Sequence, residues 1–123
     1  MTISVEQKIQ QHKTIAETIC DALRKEVFNI GLPVSCIDPD ITRIEYSLSK
    51  DCATSEDSLI GIWRDTKGNK QGEILFNADG SFYAEYDVIS EHPKKPQWFV
   101  EAVIAWGRDN MVKAEAKLLP YTE

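Results

Sequence analysis

The sequence has few of the features that assign a role at sight, and each lack excludes something. No apolar run approaches the length needed to cross a bilayer, so no membrane span is expected. The first residues, MTISVEQKIQQHK, have no apolar signal core and read instead as an amphipathic helix. Only three cysteines occur, Cys20, Cys36 and Cys52, at intervals of sixteen. An odd number closes no disulfide framework and this spacing matches no zinc pattern, which points to a reduced, cytoplasmic protein. Fourteen basic residues stand against twenty acidic ones, for a net charge of -6, and no basic stripe exists to meet phosphates. A nucleic-acid partner is therefore not expected. No P-loop, dinucleotide fingerprint, HExxH or G-x-S-x-G elbow is present. His12 and His92 lie too far apart to form a ligand pair, and no Asp-rich calcium loop occurs. These motifs give no catalytic residue, no metal ligand set and no cofactor.

What is present is ordinary material for one α+β domain over residues 1–123. The hydrophobic fraction of 42% and charged fraction of 28% match a globular chain, and this length buries a core without staples. Ser4 and Gln7 form a capping box. From there Val5, Ile9, His12, Ala16, Ile19, Leu23, Val27 and Ile30 recur at steps of three or four, until Gly31 and Pro33 stop the pattern. The expectation is a long helix over about 4–30, with His12 a core or rim residue. Residues 31–58 hold a linker and a first strand, TRIEYSLS, with Ile44, Tyr46 and Leu48 on one side. The acids scattered over 38–57 read as a solvated surface. His92, in the loop EHPKKP, reads as exposed.

Residues 59–119 read as a β-meander, giving five or six antiparallel strands in all. DTKG (65–68), NADG (77–80) and GRDN (107–110) each end in Gly or Asn, which suits a type I turn with a G1 bulge. These turns oppose Asp65 with Asn69, Asn77 with Ser81 and Gly107 with Met111. With Val88 set opposite Trp98, every even position from Ile60 to Leu118 falls on the helix-packed face, and Trp98 and Trp106 clamp the helix. The odd face then reads in rows across the strands. One row is Leu59, Leu75, Tyr83, Val103 and Glu115. The next is Gly61, Glu73, Glu85, Glu101 and Lys117. The third is Trp63, Gln71, Asp87, Phe99 and Leu119.

This outer face places glutamates side by side, although like charges opposite one another destabilise a sheet. The candidate binding residues are Trp63, Glu73, Leu75, Tyr83, Glu85, Asp87, Phe99, Glu101 and Val103. Aromatics around an anchor charge suit an interface centre, here for a protein partner or for self-association. The N-terminal helix, if Val5 and Ile9 overhang the sheet, is a second surface for self-association. The plainer alternative is a solvated face on which Lys117 pairs with Glu101. The enzymatic alternative is a small hydrolase or metal-dependent enzyme that uses the crowded carboxylates.

The hairpin DGSFYAEYD, with Asp79, Gly80, Phe82, Tyr86 and Asp87, resembles a hairpin of the YezG-like bacterial immunity family. That resemblance implies a small acidic cytoplasmic protein, with a long N-terminal helix and an antiparallel sheet, that neutralises a cognate toxin. The chain departs from the family in having no helix after the meander. The functional expectation is thus a non-enzymatic protein-binding module, in its sharpest form an immunity-type inhibitor of a basic partner.

Overall fold

The computed structural model describes residues 4–33, 35, 37, 39–50 and 57–120, with the side chains of Lys50 and Asp57 left aside. Cys36, Cys52 and the acids Asp38, Asp51 and Glu56 lie outside the described residues.

One long helix, α1 (Val5–Asn29), packs on a six-stranded antiparallel sheet whose strands follow chain order from β1 to β6. The strands are β1 (Glu45–Lys50), β2 (Asp57–Arg64), β3 (Lys70–Phe76), β4 (Ser81–Glu91), β5 (Trp98–Arg108) and β6 (Met111–Pro120). The helix starts where expected. The Ser4 hydroxyl accepts the Gln7 amide and the Gln7 side chain accepts the Ser4 amide, so two otherwise orphaned donors are satisfied. Ala16, Ile19, Leu23 and Val27 are fully buried on the sheet side. Both edge strands, β1 and β6, touch the helix. Val5 and Ile9 also pack against the core, so they form no exposed overhang.

The linker is tied down at one point. Asp40 caps a short 3-10 turn, Ile41–Arg43, by accepting the Thr42 amide at 2.8 Å and the Thr42 hydroxyl at 2.7 Å. Its carbonyl accepts the Trp63 indole N–H at 3.1 Å. Two members of the acidic stretch are therefore structural rather than merely solvated: Asp40 through this cap, and Glu45 through an ion pair with Arg64 at 2.6 Å.

Two of the three turns have the expected geometry. Asp65 donates to Asn69 and Asn77 donates to Ser81, with Gly68 and Gly80 at φ +85° and +91°. Those left-handed backbones are cheap for glycine and fix the hairpin register. The third turn differs. Arg108 pairs directly with Met111, and Asp109 rather than Asn110 takes the left-handed backbone, at φ 58°. Asp and Asn both tolerate that conformation, so GRDN closes one residue tighter than the other two turns.

That tighter turn and three bulges change which residues face the helix. Gln71 is an extra residue between the pairs Arg64–Lys70 and Trp63–Gly72. Past it β2 is shifted by one, so Leu59, Gly61 and Trp63 face the core and Ile60 and Ile62 face away. In β5 the two-residue turn turns Val103 and Ala105 inward and Ile104 and Trp106 outward. Val88 and Ile89 together oppose Glu101, with Ile89 at φ 50°, and Glu101 is itself extra against β6. Strands β3, β4 and β6 keep their even positions inward, as the alternation indicates. The finished core joins Ile74, Phe76, Phe82, Ala84, Tyr86, Trp63 and Val103 to the helix stripe.

Candidate functional site: the outer face of the sheet

Sheet pairing sets the outer face row by row. One row reads Ser47, Ile60, Leu75, Tyr83, Trp106 and Lys113. The next reads Glu45, Ile62, Glu73, Glu85, Ile104 and Glu115. Beyond it lie Asp87, Ala102 and Lys117.

Of the residues expected here, Glu73, Leu75, Tyr83, Glu85 and Asp87 come together. Glu101 joins them from the bulge through Lys117, the ion pair foreseen in the plainer reading. Trp63 and Val103 do not belong. Both are fully buried on the helix side, because the Gln71 bulge and the tight 109–110 turn each reverse the alternation of one strand. Trp63 instead packs against Tyr86 with ring centroids 5.5 Å apart. Phe99 sits at the far end of β5, opposite Glu91 and Leu119. Trp106 clamps no helix, being on the outer face, and Trp98 is partly exposed. Sequence reading missed Ile60, Ile62, Ile104 and Trp106. A signal did exist: a glycine inside a strand, as at Gly72, often marks a bulge.

The electrostatics are crowded. Glu73 and Glu85 are directly opposed on neighbouring strands. Lys70 holds Glu73 at 2.7 Å, while Lys117 stands 3.6 Å from both Glu85 and Glu101. The Tyr83 hydroxyl donates to Glu85 at 3.2 Å. Burial, then the charge of Glu85 and this bond, raises the Tyr83 phenol above its ordinary value. Burial, followed by repulsion from Glu85 and Glu101, raises the Asp87 carboxyl, while Lys70 and Lys117 oppose the shift. Lys70, Gly72, Glu73, Glu85 and Asp87 line a cleft of about 230 Å³. Gly72 permits the close strand approach there, since a Cβ at that position would lie 2.6 Å from the Glu85 carbonyl oxygen.

A second concavity, of about 300 Å³, lies between α1 and the turns at Gly80 and Asp109. His12 forms part of its wall and stacks on Phe76 at 4.5 Å, confirming its place at the core rim. Burial and then Lys8 lower its pKa. His92 is buried rather than exposed. Its Nδ1 accepts the amides of Lys94 and Lys95, both at 3.1 Å, and so shapes the HPKKP loop. Burial pushes the Cys20 thiol up to about 12, the state of an inert packing residue. Among the described residues no three His, Cys, Asp or Glu side chains gather as a metal site, and no helix is long and apolar enough to cross a membrane.

Comparison with family models, curated proteins and solved structures finds no match.

Proposed function

We propose that this chain is a non-enzymatic binding module whose outer sheet face docks a basic protein surface. The observation that carries the reading is one juxtaposition. Ile60, Leu75, Tyr83 and Trp106 form an apolar row that no element of the described chain covers. The adjacent row holds the opposed pair Glu73 and Glu85, with Asp87 beyond it. Apolar patches bordered by charge mark interaction sites. A partner carrying lysine or arginine beside apolar side chains would relieve the carboxylate repulsion and cover the aromatic row.

Self-association through this face fits less well. A two-fold interface sets a patch against itself, which here brings carboxylates against carboxylates. The sharpest form of the proposal is an immunity-type inhibitor of a basic toxin, which the resemblance of DGSFYAEYD to the YezG-like family supports.

The test is an NMR titration of the labelled protein with a cationic amphipathic peptide of lysine and leucine, run beside its glutamate counterpart. Saturable shifts centred on Leu75, Tyr83, Glu85, Asp87 and Trp106, weakened by salt and absent with the acidic peptide, support the proposal. Shifts that scatter over the surface, or that the acidic peptide reproduces, refute it.

A further inference from the structure

The sheet order leaves β6 with no neighbour on one side among the described residues. The direction of its backbone groups follows from the turn before it. Arg108 and Met111 flank a two-residue turn and are therefore a hydrogen-bonded pair, and such pairs alternate along an antiparallel ladder. Met111, Lys113 and Glu115 bond to β5. Val112, Ala114 and Ala116 turn their N–H and C=O groups to the free side. The Glu26 carboxyl of α1 lies toward this side: burial raises its pKa and the Ala116 amide counters that rise.

We propose that the free edge of β6 is a strand-pairing surface for a second copy of this chain, kept shut in the isolated copy by Glu26. The occupant follows from charge. Antiparallel pairing of two β6 strands centred on Ala114 sets Ala114 against its own image and Val112 against Ala116. It also sets Lys113 against Glu115 of the second copy, twice by symmetry. Inner faces stay together, small apolar residues meet one another, and each lysine meets a carboxylate. Centring on Glu115 instead would oppose Glu115 to itself and Lys113 to Lys117, and would call on backbone groups already bonded to β5.

Edge lysines normally deter strand pairing, and a generic partner strand would leave Lys113 unmatched. A second copy supplies Glu115. Glu26 competes for one of the donors the new ladder needs, because Ala116 would donate to the Val112 carbonyl of the second copy. This surface is separate from the outer face and does not depend on the docking proposal.

Sedimentation equilibrium on a set of variants tests the inference, with far-UV circular dichroism as the check on folding. Glu26→Ala removes the competing acceptor and is expected to tighten dimerisation about tenfold over wild type. Glu26→Gln keeps an acceptor oxygen and is expected to match wild type. Adding Lys113→Glu to Glu26→Ala restores the monomer, and adding Glu115→Lys as well returns the dimer, because the swapped charges again match. A folded Glu26→Ala protein that associates no more than wild type overturns the proposal, as does association indifferent to Lys113→Glu. The unmodified chain gives an independent reading. Exchange of the Ala114 amide slows as concentration rises if the edge pairs, and concentration-independent exchange also overturns the proposal.

Discussion

The two faces of the sheet are built on the same alternation and end in opposite states. On the helix side, Trp63, Ile74, Ala84, Val103 and Ala105 are fully buried, and the polar atoms among them have partners. The Trp63 indole reaches the Asp40 carbonyl, and the Tyr86 hydroxyl donates to Gln71 at 3.1 Å. On the outer side, apolar residues stay half covered and carboxylates stand opposite one another. One face is settled by the chain's own atoms. The other is left with half-covered apolar surface and with crowded carboxylates beside two lysines, Lys70 and Lys117. That contrast between the faces, rather than any single residue, is what motivates the docking proposal.

Substitutions can break or sharpen this contrast. The largest effect is expected from Trp63→Ala, which empties a fully buried site and should cost about 3–5 kcal/mol in urea unfolding. Trp106→Ala, the tryptophan of the outer face, should cost only about 1 kcal/mol. Equal losses would mean that the two faces do not differ as described. Gly72→Ala should cost about 1–3 kcal/mol, because its Cβ would press on the Glu85 carbonyl at 2.6 Å and crowd Tyr86. A neutral result in thermal unfolding would contradict the close approach of β3 and β4. Tyr86→Phe should lose about 1 kcal/mol with its bond to Gln71.

The smallest effect has the opposite sign. The folded Asp87 carboxyl lies above its unfolded value of 3.8, so the folded chain holds that proton to higher pH than the unfolded chain does. Its contribution to stability is complete below 3.8 and is lost as pH rises through the folded value. Asp87→Asn should therefore stabilise the protein at neutral pH by roughly 0.5 kcal/mol, the scale of a screened surface interaction, and the gain should vanish below pH 3.8. Asp40, Asp65 and Asp79 act the other way. Hydrogen bonds to their carboxylates lower their pKa values, so the stability they add is lost on acidification. Melting temperatures of wild type and variant across that range decide the matter.

The helix and the strand order were legible in the sequence because local chemistry dictates them. Ser4 and Gln7 need no tertiary partner to start a helix. Gly68 and Gly80 fix their own turns and set the registers Asp65–Asn69 and Asn77–Ser81. That is why the opposed pair Glu73 and Glu85 was readable, along with Leu75 beside Tyr83. What was not legible turns on single residues. Gln71, Ile89 and Glu101 each add one residue to one side of a ladder, and Asp109 shortens one turn. A bulge costs little locally and is decided by which side chains the core can hold. Here Trp63 and Val103 fit against Tyr86 and α1, and Ile62 and Ile104 were turned outward. Alternation cannot reveal this, because β2 and β5 carry apolar residues at both parities. The outer-face residues most hidden from the sequence, Ile104 and Trp106, are those that a one-residue shift exchanged with the core.

The measurement that tests the central claim most directly follows stability and binding in one variant, Glu85→Gln combined with Asp87→Asn. If the outer face carries more negative charge than Lys70 and Lys117 offset, the variant melts higher than wild type at neutral pH. It should also bind the cationic peptide about tenfold more weakly. A variant that is less stable and binds the peptide as wild type does would show that these carboxylates serve the fold alone, and would contradict the account.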